Sequence, residues 1–389
     1  MILADSKLCT GCTACANICP NGCITMTFNA YGFCFPEIDS ESCVECGACR
    51  SACPVLNRNN EHSEKTAAYA AFSNNTEIRE ESSSGGIFTE LAAEIIKRGG
   101  VVYGAAYDES FRVFHRCAQT LEETAPLRGA KYAQSELGES FSSIRKRLKN
   151  GQSVLFSGTP CQIAGLKAFL KHDYENLFCV DLVCHGVPSP MVWEKYVRYR
   201  AASDCNGVMP QSVNLRCKSS GWSRYSYSVD FSYGNSMRYL RKNGDDPFMK
   251  LFVNDYILRE SCGFCREKGY NRKSDITLGD FWGIWDIAPE MDDNRGTSLL
   301  LTHSKKGESL LKSVRDRIEI KQVSLEEAGR MNPAMLHSAI HKKERKAILD
   351  SIAQGGFNPT YLPDNGQTDP VPGIRHKVKA LIRKFSRKQ

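Results

Sequence analysis

The sequence predicts a two-part protein of α+β and α/β class: a small cysteine-rich module, then a larger mixed α/β domain. Three observations carry this expectation. The pattern C-x2-C-x2-C-x3-C-P occurs twice, from Cys9 to Pro20 and from Cys43 to Pro54. From Ser153 to about residue 205, strand-like apolar runs alternate with loops and helix-like segments, as in a parallel α/β core. Residues 207–240 then alternate polar and apolar like antiparallel strands, and Gly234-Asn235 suits a hairpin turn. A chain of 389 residues has room for two or three domains and an ample core.

In each cysteine run, three closely spaced thiolates can hold three corners of a cubane [4Fe-4S] cluster. The fourth lies too far round the turn and reaches the other cluster, as in a bacterial two-cluster ferredoxin. Cys9, Cys12, Cys15 and Cys53 are therefore assigned to one cluster, and Cys43, Cys46, Cys49 and Cys19 to the second. Zinc sites use separated cysteine pairs, which these runs are not. A disulfide framework would need an export signal, and Met1-Ile-Leu-Ala-Asp-Ser-Lys7 has neither a basic nor an apolar signal region. Cys23 and Cys34 are left over, and Cys23 reads as a small packing residue. The module spans residues 1–57.

Composition sets further bounds. Eighteen cysteines without an export signal point to a reducing cytoplasm and to metal ligation. No apolar run approaches the length of a membrane span. The net charge of +7 belongs to residues 371–389, which hold seven Lys and Arg and no acid, so residues 1–370 are neutral overall. A nucleic-acid partner is therefore not expected. In the tail, Val378, Leu381, Ile382 and Phe385 form one apolar stripe among basic faces. Such a helix can lie on anionic membrane, which would put the protein at the inner face. A solvated basic end is the alternative.

Residues 57–65 read as a polar linker, and Ala67 to Phe72 as a strand. Phe88, Leu91, Ala92, Ile95 and Ile96 recur at helical spacing. Ser82-Ser83-Ser84-Gly85-Gly86 stands just before that helix, where serine can cap and glycine lets backbone N–H groups approach a phosphate. Most serine-rich caps are only caps. Strands are expected near Val101–Gly104 and Phe111–Phe114, then a polar turn with Arg128 and Lys131, and a helix from Ser140 to Lys149. Ser153–Ser157 and Leu177–Val183 read as strands, each followed by a loop and a helix, one opening at Cys161 and one at Met191. Phe248 to Leu258 reads as a helix, and Ser274 to Ile284 as a strand running into a Gly/Asp/aromatic loop. Ser298–Thr302 is the one strand expected among the remaining helices, and residues 355–373 are loop-rich.

Cys161, Cys184, Cys262 and Cys265 sit in Gly- or Pro-bearing loops. They can be read as four ligands of a third [4Fe-4S] cluster, or as two buried thiols plus a C-x2-C pair for zinc. Cys117, Cys179, Cys205 and Cys217 read as ordinary core or surface residues.

From about residue 67 to 360 the chain resembles the beta-subunit family of coenzyme F420 hydrogenases and dehydrogenases. The matching stretches are Ser82–Gly86, Lys131-Tyr132, Gly158-Thr-Pro-Cys-Gln162, Val183-Cys-His-Gly-Val-Pro-Ser189, Arg216-x-Lys218-x-x-Gly-Trp222, Arg259-x-Ser-Cys-x-x-Cys265, Asp275–Gly283 and Gly296-Thr-Ser298. Members look like FAD-dependent iron–sulfur enzymes, and some similar proteins with a ferredoxin front end accompany surface-polysaccharide synthesis. The resemblance implies that Cys161, Cys184, Cys262 and Cys265 ligate a cluster beside the flavin. It makes Ser83, Ser84, Gly85, Gly86, Lys131 and Thr159 candidate FAD contacts. Cys217 departs from the acidic residue often found there.

The resulting expectation is an iron–sulfur flavoprotein oxidoreductase. Residues 66–150 and 151–360 would form the two parts of its flavin and iron–sulfur domain, and 361–389 a basic tail. Electrons would pass between three clusters and FAD, with hydride transfer to or from an organic substrate such as a deazaflavin or a biosynthetic intermediate. Lys131 and Arg128 could neutralise anions, and His185 and Asp280 could supply protons. Alternatively His185 only packs against the cluster loop and Asp280 caps a turn. The partner would be a ferredoxin or a catalytic subunit. The rival expectation is an electron-transfer adaptor with no substrate of its own.

Overall fold

The computed structural model describes residues 3–57, 66–234 and 236–361. Most of the expected linker, Asn235 of the expected hairpin turn, and the basic tail with its apolar stripe lie outside the described residues.

The N-terminal module holds helix α1 (Ala14–Ile18), strands β1 (Ile24–Phe28) and β2 (Cys34–Ile38) in an antiparallel hairpin, and helix α2 (Ala48–Ser51). Both helices start from a left-handed residue inside a cysteine run, Thr13 at φ 63° and Gly47 at φ 74°. The two runs thus fold alike: a loop carrying two cysteines turns sharply and places the third in the first helical turn.

The larger domain is built on one eight-stranded sheet. Its strands are β3 (Ala67–Ser73), β4 (Val101–Tyr107), β5 (Val113–Ala118), β6 (Val154–Ser157), β7 (Leu177–Leu182), β11 (Ile276–Asp280), β12 (Ser298–Thr302) and β13 (Ile318–Val323). Between β7 and β11, the strands β8 (Ser212–Cys217), β9 (Ser228–Ser232) and β10 (Arg238–Lys242) form a separate antiparallel sheet. The large sheet has the order β13-β3-β12-β11-β7-β6-β4-β5. The central β4, β6, β7 and β11 are parallel, as the strand–loop–helix alternation predicts, and antiparallel pairings flank them. Strands from 66–150 and from 151–360 therefore share one sheet.

Helices cover both faces. On one face Ile87, Leu91, Ala92 and Ile95 of the helix Ile87–Lys97 pack on Val102, Leu155 and Leu300. On the other, Phe141, Ile144 and Leu148 of Ser140–Lys149 and Ile163, Leu166 and Phe169 of Pro160–Leu170 pack on Val101, Tyr103, Val154 and Phe156. Val101 and Val102 thus face opposite layers, the two-residue period of a strand buried on both sides. Burying each such side chain contributes about 1.5–3 kcal/mol. The three-stranded sheet closes over the helix Pro190–Cys205 around Trp193, Tyr196, Phe231 and Phe248.

Two expected elements differ. The helix at 248 ends at Val253, because Asn254 leaves helical geometry and Asp255 turns left-handed at φ 65°. The chain then runs on to Leu258, which bridges Pro188. β13 is a strand the sequence reading did not foresee. Ile318 and Ile320 are buried while Glu319 and Lys321 face solvent, so its polar half conceals a short edge strand.

Strand direction decides where a ligand can meet the sheet. β3, β4, β6, β7 and β11 all run the same way, so their carboxyl ends share one edge, and β12 begins there, with Ser298 opposite Asp280. Ligand sites of open α/β sheets form at this edge.

Candidate functional site

The module's thiols lie in two groups. Cys19, Cys43, Cys46 and Cys49 line one small cavity of about 10 Å³. Cys12 and Cys15 lie against Cys9 and Cys53. Burial, with those thiols as like-charged neighbours, pushes Cys12 up to about 11 and Cys15 higher still. Cys12 and Cys15 are therefore costly to ionise where they stand, and a cationic metal core would reverse that cost. Cys23 also lines the cavity of Cys19, Cys43, Cys46 and Cys49.

The later thiols come from three loops at the carboxyl edge. Cys161 lies in the first turn of the helix Pro160–Leu170, Cys184 follows β7, Cys262 lies within a short turn at Glu260–Phe264, and Cys265 directly follows it. All four line one cavity of about 60 Å³. Its remaining wall includes Leu8, Thr10, Pro54 and Val55 of the N-terminal module. The Cys262 Sγ accepts from the Val187 N–H at 3.3 Å, and the Thr159 Oγ1 lies 3.2 Å from the Cys161 Sγ. Burial pushes Cys262 up to about 12, and Cys161 and Cys184 upward as well. Among the described residues, no three His, Cys, Asp or Glu side chains converge on a single-ion site. These thiols surround a space instead.

Next to this cavity, His185 Nε2 lies 2.7 Å from Asp255 Oδ1, and its ring meets Phe252 edge-on at 5.2 Å. Lys268 Nζ donates to the Cys184 carbonyl and, at 2.6 Å, to that of Ala334, which fixes the Cys184 loop. Asp280 ends β11 in an ion pair with Arg216. That guanidinium stacks over Tyr227 at 3.9 Å and Trp222 at 4.6 Å. A carboxylate held this way accepts hydrogen bonds, so the geometry gives Asp280 an anchoring part in place of proton donation.

The expected flavin contacts are spread along the same edge. Ser84 Oγ donates to the Thr297 carbonyl at 3.0 Å, and the Gly85 N–H donates to Ser298 Oγ at 2.9 Å. A Cβ on Gly85 would stand 2.4 Å from the Ala71 carbonyl oxygen, so only glycine fits there. Gly86 caps the helix Ile87–Lys97 at φ 85°. Thr159 caps Pro160–Leu170 in a reciprocal box with Gln162. From β3 to β6 is four strand steps, roughly 19 Å at 4.8 Å each. Ser83–Gly86 and Thr159 could thus meet only an elongated ligand. Lys131 donates to the Arg128 carbonyl at 2.6 Å, and its ammonium lies 5.8 Å from the Tyr107 ring centre at the end of β4. Burial pushes that ammonium down to about 7. Arg128 pairs with Glu81 and so ties the Lys131 turn to the serine–glycine loop.

Sequence reasoning missed two cations at that loop. Lys218 Nζ donates to the Ser84 carbonyl at 2.6 Å, and Arg79 Nε donates to the Gly296 carbonyl at 2.9 Å. Burial, with Arg79 close by, pushes Lys218 down to about 7. Lys218 stands in one of the family-like stretches, but nothing in its local sequence links it to residue 84. Arg259 is the other omission. It is buried and donates to the carbonyls of Cys9 and Cys34 and to Gln134 Oε1.

Residues 151–328 match the family model for the C terminus of the coenzyme F420 hydrogenase/dehydrogenase beta subunit. Residues 8–57 match one 4Fe-4S dicluster domain model, and residues 39–102 a second. No curated protein matches. Among solved structures, a chain of the F420-reducing [NiFe] hydrogenase complex from Methanosarcina barkeri aligns at 17% identity and a TM-score of 0.49, over 79% of this chain and 100% of its own. No helix among the described residues is long and apolar enough to cross a membrane. An iron–sulfur dicluster domain thus leads into a domain, residues 151–328, that matches the C terminus of the coenzyme F420 hydrogenase/dehydrogenase beta subunit.

Proposed function

We propose that the chain is an iron–sulfur flavoprotein oxidoreductase. In this reading Cys9, Cys12, Cys15 and Cys53 hold one [4Fe-4S] cluster, and Cys19, Cys43, Cys46 and Cys49 hold another. Cys161, Cys184, Cys262 and Cys265 hold a third, and FAD lies along the carboxyl edge. The observation that carries the reading is the 60 Å³ cavity. Four thiols from three distant loops line it, and the dicluster module forms part of its wall. A third centre there would lie between the module and the edge, on the natural line of electron flow.

FAD, when bound, exchanges electrons singly with iron–sulfur centres and in pairs with an organic substrate, as hydride transfer requires. The chain's own residues bind and orient. Ser83, Ser84 and Gly86 offer backbone N–H groups at a helix start, Gly85, whose own N–H is held by Ser298, leaves room for close approach, and Lys131 offers a cation whose burial eases loss of its proton. Thr159 joins the edge to the Cys161 helix. His185 holds its Nε2 against Asp255 beside the thiol cavity, where a proton can be kept or passed. The substrate is an organic acceptor or donor, a deazaflavin or a biosynthetic intermediate such as one of surface-polysaccharide synthesis. Electrons would be exchanged with a protein redox partner.

A second reading is an adaptor subunit that docks on a catalytic partner. The roughly 19 Å between the serine–glycine loop and Thr159 favours it, since four strand steps keep the two apart. Anaerobic purification with iron, sulfide and flavin counted on one sample decides. About twelve irons and one FAD per chain are expected, at four irons per cubane. About twelve irons without flavin would favour the adaptor, and about eight would overturn the third cluster.

A further inference from the structure

Cys23 belongs to neither thiolate set, yet it forms part of the wall of the second. Its side chain is 8% exposed and lines the cavity of Cys19, Cys43, Cys46 and Cys49. Its Sγ stands 3.3 Å from the Cys19 Sγ, far beyond a disulfide bond and within hydrogen-bond range for sulfur. The Cys43 side chain lines the same cavity. The local chain explains the position. Cys19-Pro20-Asn21-Gly22 folds back on itself, with Gly22 at φ 63° and its N–H donating to the Cys19 carbonyl at 3.3 Å. Cys23 is thereby returned beside the residue it follows by four positions, just before β1 opens at Ile24.

An apolar residue could fill this corner equally well. A thiol adds one thing, an S–H donor aimed at ligand sulfur. Hydrogen bonds to cluster sulfurs withdraw negative charge and favour the reduced, more negative state, which raises the reduction potential.

We propose that Cys23 is a positioning residue of the second cluster: with Cys19 ligating as a thiolate, the Cys23 S–H donates to that sulfur and raises the cluster's potential. The proposal rests on the pairing of Cys19 with Cys43, Cys46 and Cys49. It also makes the two N-terminal clusters unequal, since at the first set the matching place, four residues after Cys53, is Asn57. Asn57 turns its amide to backbone carbonyls of residues 50, 51 and 53 instead.

The test uses the full chain, purified anaerobically, as wild type, Cys23→Ala, Cys23→Val and Cys23→Ser. Iron and sulfide are counted, and both N-terminal clusters are titrated potentiometrically with EPR detection. Every variant is expected to keep its iron. One cluster should move to a more negative potential in Cys23→Ala and Cys23→Val, and Cys23→Ser, which retains a donor, should lie nearer wild type. Unchanged potentials in Cys23→Ala and Cys23→Val overturn the proposal. If the smaller alanine costs iron, valine, which preserves volume, carries the comparison. Loss of iron from all three would make Cys23 a ligand or a structural prop and overturn the tuning role. A wild-type chain with fewer than about eight irons would fail the two-cluster reading itself, and would be seen before any variant is titrated.

Discussion

Arg259 donates from its Nε to the backbone carbonyl of Cys9 across 2.8 Å, so one buried guanidinium joins the loop leading to Cys262 to the loop presenting Cys9. The same group reaches the Cys34 carbonyl at 3.0 Å and Gln134 Oε1 at 2.7 Å, and it lies over Phe35 at 4.2 Å.

Arg259→Ala would remove three charge-assisted donations, those to the Cys9 and Cys34 carbonyls and to Gln134 Oε1, of which Gln134 Oε1 would keep only the Cys34 N–H at 3.5 Å. Hydrogen bonds to a charged group are worth about 1.5–3 kcal/mol each, so a loss of at least about 3 kcal/mol is expected. Denaturant midpoints of wild type and variant measure it. A loss under about 1 kcal/mol would show that docking of the module does not depend on Arg259.

Cys161→Ala should remove about four irons and leave about eight. The N-terminal signals should persist, while reduction of bound flavin by ferredoxin is abolished. A full complement of iron, or unchanged flavin reduction, would count against the third cluster.

Gly165 lies on the Cys161 helix directly against the module. A Cβ there would stand 2.7 Å from the Cys12 Cβ and 2.9 Å from its Sγ. Gly165→Ala should therefore disturb the cluster of Cys12, through iron loss or an altered EPR signal, and spare that of Cys43. An equal effect on both clusters would point to general unfolding.

Burial holds the Lys131 ammonium near 7, against an ordinary lysine value of about 10.4. Between those values the unfolded chain binds the extra proton, so stability rises with pH across the window, at up to about 1.4 kcal/mol per pH unit, and is lost below it. Lys131→Met should be more stable than wild type near pH 7, with the advantage fading towards pH 10. Urea midpoints at several pH values check this. A pH-independent difference would mean that the ammonium is well solvated.

The parts legible in the sequence are those written in local pattern. The spacing of the two cysteine runs marks the dicluster domain, short apolar runs mark β3, β6 and β7, and the segments Ser140–Lys149 and Pro160–Leu170 form the helices expected there. What stayed hidden depends on contacts between distant positions. Gly165 is one more small helix residue until Cys12 is placed beside it. Cys23 reads as filler until a left-handed Gly22 folds it back. Asp280 reads as a proton donor until Arg216, 64 positions earlier, meets it. β13 was missed because an edge strand needs charge on its open side, and that charge masks its apolar period.

The cavity of Cys161, Cys184, Cys262 and Cys265 is walled in part by residues 8, 10, 54 and 55. This gives biogenesis a direction. During synthesis the eight N-terminal thiols emerge first, and their clusters can be built on a short nascent segment. A centre at the later thiols has to wait until Cys265 is made. The wall of the cavity is complete only when the early module packs against the late loops, so segments made first and segments made much later meet there in the folded chain.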